Sequence, residues 1–167
     1  MPIVLVAGVA LMVGFLLIAL MARSTPSADG ETGPGHENWV SRISSQDFAR
    51  LLSMLFMEMK FDIEMSSLRA GDVDLFAVNP TPITGARIYV RGVFHPPLGL
   101  VGEEEVRIAL DTARAEMAGK AVVVTPGRFT PDARAAAHGA PIDLLDGASL
   151  LGLLKKHLPQ VFAQQHL

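Results

Sequence analysis

Residues 71–91, GDVDLFAVNPTPITGARIYVR, decide the fold because they read as two short strands joined by a proline-rich turn. The first predicted strand, residues 73–78, carries one acid, Asp74, among apolar side chains. The second, residues 87–93, alternates with the period of two of a pleated strand, so Arg87, Tyr89 and Arg91 share one face. An acid on one strand beside a charged neighbouring strand is an arrangement that can build a metal site.

The N-terminal stretch predicts a membrane anchor. Residues 3–21 contain no charged side chain, and a helix over them would be about 28 Å long, enough to cross the hydrocarbon core of a bilayer. A cleavable signal peptide is the alternative, but it would need a basic beginning and a shorter apolar core. We therefore predict a single transmembrane anchor over residues 1–23. Arg23, which follows the uncharged run, favours a membrane protein whose C-terminal part lies in the cytoplasm.

Composition separates the anchor from the rest of the chain. Residues 24–38 are rich in Ser, Gly, Pro and acids and predict a flexible linker, which leaves residues 39–167 as one modest domain. The chain has 17 acidic and 14 basic residues, and three of the acids and one base precede residue 39, so this domain is almost neutral. A net charge this close to zero argues against a general attraction to nucleic acid, but it is compatible with a basic patch on one face of the domain. The absence of cysteine excludes disulfides and thiolate metal sites.

The periodicity outside residues 71–91 predicts an α/β domain with the order αβββαβαβα. Ser44 is placed to cap a helix whose apolar stripe runs from Phe48 to Met59. A strand over residues 61–65 and a loop over 66–71 should follow it. Further elements are expected as a helix over 102–117 that buries Met117, a buried strand over 121–125, a short helix from Pro131, a strand over 142–145, and a last helix capped by Asp146. An antiparallel meander followed by crossover connections predicts a mixed sheet flanked by helices.

Three stretches resemble the Mrr-type restriction endonuclease family, which has the PD-(D/E)xK nuclease superfold. FARLLSMLFMEMKFDIE, from Phe48, is similar to the first helix and strand of the family, and GDVDLFAV, from Gly71, to its glycine-rich loop and catalytic strand. AVVVTPGRFTPDARAAA and PIDLLDGASLLGLL are similar to its closing half. The resemblance covers residues 44–154 and implies a restriction-endonuclease-like mixed sheet.

The resemblance also implies a site, of which this sequence keeps one residue. Asp74 matches the catalytic Asp of the family, which helps to hold Mg²⁺ for phosphodiester hydrolysis. The third strand of the family carries Gln or Glu and, two residues later, Lys, whereas this chain has Tyr89 and Arg91 at those positions. The family also has an acid in its first helix, and this chain has Ala49 there. Tyrosine brings no negative charge, and arginine cannot act as a base. The acid that is missing would then have to come from Glu64, Asp72 or the run 103–105.

These observations favour a catalytically inactive domain that binds DNA or a protein partner, including another copy of itself, and that needs no cofactor. The alternative is an active Mg²⁺-dependent DNA endonuclease with a relocated acid, Arg91 in place of the lysine, and Asp74 as a metal ligand. Asp74 beside arginines is also compatible with a simple ion pair between strands. The residues expected to contact nucleic acid are Arg87, Lys120, Thr125 and Arg128.

Overall fold

The structure of this chain, a computed structural model, describes residues 43–69, 71–81, 85–95 and 99–163. These ranges contain five helices and seven strands. In chain order the elements are α1 (Ser45–Glu58), β1 (Asp62–Arg69), β2 (Asp72–Val78), β3 (Arg87–Gly92), β4 (Leu100–Val101), α2 (Glu103–Ala115), β5 (Lys120–Val124), β6 (Arg128–Phe129), α3 (Pro131–Ala137), β7 (Ile142–Leu145), α4 (Gly147–His157) and α5 (Pro159–Ala163).

Five of the strands form a mixed sheet in the order β1-β2-β3-β5-β7. The first three are neighbours in sequence and pair antiparallel. Strand β5 pairs parallel with β3, and β7 pairs parallel with β5, because helices connect these strands. The two short strands β4 and β6 form a separate parallel pair. The predicted α/β fold with a mixed sheet between helices is therefore confirmed.

The sheet is buried on both faces by helices. On one face, Phe48 and Leu52 of α1 and Leu150 and Leu154 of α4 pack against side chains such as Leu75. On the other face, the second hydrophobic cluster joins the sheet to α2 and α3 through Phe76, Tyr89, Val106, Ala109 and Ala133. Helix α1 approaches β3 closely at Gly92, where a Cβ atom would lie 2.6 Å from the Leu52 Cδ1. Glycine at this position lets the helix lie flat on the strand.

Local structure departs from the sequence prediction at two places. Residues 66–69, predicted as loop, continue β1 because they pair with β2 up to Arg69 opposite Asp72. Met117, predicted to be buried at the end of α2, is 89% exposed: the helix ends at Ala115, and Met117 takes a left-handed conformation with φ 55°. The pair β4–β6 and helix α5 were not predicted.

The predicted anchor over residues 1–23 and linker over residues 24–38 lie outside the described residues. In the ranges that are described, no helix combines the length and the apolar character needed to cross a membrane.

Candidate functional site

Asp74 and Arg91 lie directly opposite each other on the antiparallel strands β2 and β3. Their side chains point to the same face of the sheet, and the Arg91 Nη1 donates a hydrogen bond of 3.2 Å to the Asp74 Oδ1. This is the face that α2 and α3 cover, and the pair lies toward the end of the sheet where β3 and β5 end. The two residues of the family motif that meet here are therefore joined as an ion pair.

Arg91 also binds two further carboxylates. Its Nη2 donates to the Asp72 Oδ2 at 3.2 Å, and its Nε donates to the Glu105 Oε2 at 2.6 Å. Asp72 lies two residues before Asp74 on the same strand face, and Glu105 comes from the first turn of α2, where a negative charge suits the helix dipole. The Arg91 side chain is 13% exposed and its three partners are 21–22% exposed. A guanidinium thus stands at the centre of a largely buried acidic site.

Tyr89 completes the cluster from the next same-face position on β3. Its hydroxyl donates a hydrogen bond to the Asp74 Oδ1, the oxygen that also accepts from Arg91. Its ring is 1% exposed and packs against Phe76, with the ring centroids 5.0 Å apart. The position that carries Gln or Glu in the family therefore supplies a donor to Asp74 here, not a negative ligand.

The environment keeps the donors of this cluster protonated. Burial raises the pKa of Tyr89 to about 12, and the hydrogen bond to Asp74 and the charge of Asp74 add to the rise. Burial alone would lower the pKa of Arg91, but its hydrogen bond to Glu105 and the charge of Glu105 outweigh that effect and raise it. Burial also raises the pKa of Asp72, helped by the charge of Glu105 and opposed by Arg91. Neither Tyr89 nor Arg91 can serve as a general base near neutral pH.

The arrangement does not fit the Mg²⁺ ion that the resemblance implies. Asp74 Oδ1 accepts from two donors, and the guanidinium of Arg91 holds the space between the three carboxylates. A hard divalent cation would need those oxygens as ligands, so Arg91 would first have to move away. Within the described part of the chain, no three acidic or histidine side chains lie in an arrangement that could hold a metal ion.

The acids considered as replacements divide between two places. Asp72 and Glu105 lie at Arg91, as described. Glu64 instead forms an ion pair with Arg87 at 2.7 Å, and Glu103 pairs with Arg107 along α2. The contribution of Glu105 could not be read from the sequence, because it depends on how α2 packs across the sheet.

The residues expected to contact nucleic acid do not form one surface. Arg87 is held by Glu64 and the backbone carbonyl of Glu116, and its guanidinium carbon lies 4.5 Å from the centroid of the Phe76 ring. Lys120 pairs with Asp143 at 2.6 Å, at the same end of the sheet as Arg87.

The other two predicted contacts lie at the opposite end, where β5 runs toward the site. Thr125 is only 1% exposed, and its Oγ1 accepts a hydrogen bond from the Gly127 N–H. Its contact with a DNA backbone stays a prediction. Arg128 is exposed on β6, just after that turn. It lies at the same end of the sheet as Arg91, which makes it the candidate for contact near the site.

Solved structures that are similar to this chain include restriction endonucleases, one of them with a TM-score above 0.5. The DNA modification-dependent restriction endonuclease AspBHI has a TM-score of 0.51 and 15% identity, with 74% of this chain and 36% of that chain covered. AF1548, a protein of unknown function, has a TM-score of 0.50 and 18% identity, with 67% of this chain and 64% of that chain covered. The restriction endonuclease MspJI, solved in complex with a 27-mer oligonucleotide, has a TM-score of 0.45 and 18% identity, with 74% of this chain and 28% of that chain covered.

At these identities the likeness concerns the fold, and the chain spans between about a quarter and two thirds of the length of these proteins. The search of curated proteins gave no match. The family comparison is decisive: the Mrr_cat restriction endonuclease family matches residues 40–154, which is most of the chain and includes Arg91 with its three carboxylate partners and all strands of the described ranges. This chain therefore belongs to the Mrr-type restriction endonuclease family.

Proposed function

We propose that this domain binds DNA without cleaving it, from a position at the cytoplasmic face of a membrane. The observation that carries the proposal is the contact of one guanidinium, Arg91, with all three carboxylates of the site. Those oxygens are occupied by donors, and neither Tyr89 nor Arg91 can activate a water molecule as a base. The predicted anchor over residues 1–23 provides the membrane part of the proposal.

Family membership supports DNA as the partner, as does the description of its structural neighbour AspBHI as a DNA modification-dependent endonuclease. Arg128 is exposed at the end of the sheet where Arg91 lies, so a phosphate that approaches this end would meet a cation. Lys120 lies at the far end of β5 and should matter less.

An active Mg²⁺-dependent DNA endonuclease is the second candidate, and the position of Asp72 and Glu105 favours it. Both acids lie at the site beside Asp74, where a relocated ligand would be needed. Binding of a protein partner is the third, and it would show neither cleavage nor affinity for DNA.

Cleavage is tested with the full-length chain in mild detergent, incubated with supercoiled plasmid in Mg²⁺ or Mn²⁺. We expect no nicking by the wild type or by Asp74→Ala. The matched variant is Tyr89→Glu with Arg91→Lys, which restores the residue types of the family motif at both positions. Nicking by this double variant alone would show that the remaining site is competent and that these two residues silence it. Nicking by the wild type that Asp74→Ala abolishes would overturn the proposal in favour of the active enzyme.

DNA binding is tested by fluorescence anisotropy of a labelled duplex at several salt concentrations. We expect the affinity to fall as salt rises, since the contacts are to phosphates. Arg128→Ala should reduce the slope of log affinity against log salt by about one, the effect of one lost phosphate contact. Arg50→Ala is the control, because Arg50 is a 77% exposed arginine on α1, which covers the other face of the sheet. No affinity at low salt would support the protein-binding candidate.

A further inference from the structure

The strand β1 lies at one edge of the sheet and presents its outer edge. Of the strands in the described part of the chain, it pairs only with β2. It is eight residues long, most of its side chains are exposed, and two of them are large and apolar: Met65 is 51% and Leu68 is 42% exposed. An edge strand of this length with exposed apolar side chains is a template for pairing with another strand.

The register with β2 assigns each side chain of β1 to a face. Asp62, Met65, Ser67 and Arg69 lie opposite residues of β2 on the Asp74 face, whereas Ile63, Ser66 and Leu68 lie opposite residues on the α1 face. The register shifts between Ile63 and Met65, so Glu64 is the extra residue of a bulge.

The charges of β1 are opposite at its two ends. Asp62 begins the strand and Arg69 ends it, both are exposed, and both side chains lie on the same face. Neither forms an ion pair with another residue in the described ranges. In contrast, Glu64 in the bulge pairs with Arg87 of its own chain.

We propose that β1 pairs antiparallel with β1 of a second copy of this chain, across a two-fold axis at Ser66. In this register Asp62 faces Arg69 of the other copy, Ile63 faces Leu68, Met65 faces Ser67, and Ser66 faces itself. Each pair joins side chains on the same face of the sheet. This holds on both sides of Glu64, because the extra residue of the bulge shifts the register by one between Ile63 and Met65.

A second copy fits this edge better than an unrelated strand would, because one symmetric pairing matches the opposite charges at its two ends and joins Ile63 to Leu68. The interface is isologous, so the Asp62–Arg69 charge pair and the Ile63–Leu68 apolar pair each form twice. A register shifted by one residue would place side chains on opposite faces and separate the charged ends. The charges and the bulge therefore specify the register, while they disfavour other edge pairings.

The self-facing serine gives a direct test in the full-length chain. The chain contains no cysteine, so Ser66→Cys introduces the only thiol. Directly opposite residues in an antiparallel pair have Cα atoms about 4.5–5.5 Å apart, within the range that a disulfide requires. Ser67→Cys is the matched control, because residues 67 of the two copies would be diagonal neighbours at about 7–8 Å, too far for an unstrained disulfide.

We expect Ser66→Cys to form a disulfide-linked dimer under mild oxidation much faster than Ser67→Cys. Association through other parts of the chain, including the predicted anchor, would not distinguish two adjacent serines by register. Equal cross-linking of both variants, or of neither, would overturn the proposal and leave the edge to another strand or to residues outside the described ranges.

Charge reversal gives a second test that does not depend on disulfide geometry. In the Ser66→Cys background, Asp62→Arg or Arg69→Asp alone should lower dimer formation roughly tenfold, because two attractive pairs become repulsive at once. The combination of both reversals should restore it, since the opposite charges face each other again. Circular dichroism should show each variant folded, as both residues are exposed. Failure of the combination to recover would refute the register. None of these outcomes depends on whether the domain binds DNA.

Discussion

Replacement of Arg91 by alanine tests whether this guanidinium holds the end of the sheet together. The substitution leaves Asp72, Asp74 and Glu105 close to one another without the cation that lies between them. Carboxylates that share a site repel each other when all are ionised. We therefore expect Arg91→Ala to fold but to have a markedly lower free energy of unfolding at neutral pH.

The loss of free energy of unfolding is estimated from the three hydrogen bonds that Arg91 donates to carboxylates, of 2.6, 3.2 and 3.2 Å. Removal of one partner from a buried ion pair costs about 3–5 kcal/mol. These groups keep 13–22% of their side-chain surface exposed, so solvent screens part of the loss. About 3 kcal/mol remains, which corresponds to a fall in Tm of about 10 °C for a domain of this size.

The assay is urea unfolding and thermal melting at pH 7 and at acid pH. The raised pKa of Asp72, caused first by burial, contributes stability that is fully present below the ordinary value of 3.8 and is lost as the pH rises through the native-state pKa. Without Arg91 this rise should be larger. The deficit of Arg91→Ala should therefore be greatest at neutral pH and shrink as the pH falls toward 3.8.

The control is Arg107→Ala, which removes an exposed ion pair with Glu103 within α2. It should cost less than about 0.5 kcal/mol, since exposed pairs along a helix contribute little. If Arg91→Ala lost no more stability than Arg107→Ala, or if its deficit were the same at both pH values, the view of Arg91 as the cation that balances this site would be refuted.

The buried tyrosine, the close helix contact and the cap of α4 each allow a separate check. Tyr89 is the only tyrosine, so a pH titration followed by tyrosinate absorbance should give a midpoint of about 12 in the native protein. The contribution of Tyr89 to the free energy of unfolding should be lost as the pH rises from 10.0 through that value. A titration midpoint near 10.0 would contradict the buried hydrogen bond of its hydroxyl. Gly92→Ala should lower the free energy of unfolding by about 1–3 kcal/mol in urea, because its Cβ would overlap Leu52; an unchanged midpoint would mean that α1 can shift. Asp146 caps α4, and although burial opposes its ionisation, hydrogen bonds from Ser149 lower its pKa, so Asp146→Ala should cost about 1 kcal/mol at pH 7. Asp146→Asn should keep the cap but lack the contribution of the ionised carboxylate to the free energy of unfolding, which in the wild type disappears as the pH falls below 3.8. Equal losses of free energy of unfolding in Asp146→Ala and Asp146→Asn would argue against the cap.

Most of the fold could be predicted from the sequence because local patterns and packing agree. The stripe from Phe48 to Met59 is helical in period and is buried as α1, and the alternation over residues 87–93 is a strand with charged side chains on one face. Residues 66–69 were missed because Ser66 and Ser67 carry no strand signal of their own. Their conformation is set by pairing with β2, which is a tertiary effect.

The site was only half visible in the sequence for a similar reason. The shared face of Tyr89 and Arg91 and the opposition of Asp74 to Arg91 follow from strand period and pairing. The contact of Glu105 with Arg91 depends on where α2 crosses the sheet, and no spacing in the chain encodes that distance. The burial of Thr125 was not visible in the sequence either: in the structure its hydroxyl is 1% exposed and accepts a hydrogen bond from the Gly127 N–H.

The identity of residues 89 and 91 changes where the positive charge of the site comes from. In the motif that the family implies, a divalent cation balances the carboxylates. In this chain Arg91 supplies a permanent charge and Tyr89 a second donor to the same Asp74 oxygen, and both are fixed to β3. The positive charge at this end of the sheet therefore does not depend on the metal concentration. The same donors occupy the oxygens that a metal would need, so the contacts expected to stabilise this site are also those on which the proposal of DNA binding without cleavage rests.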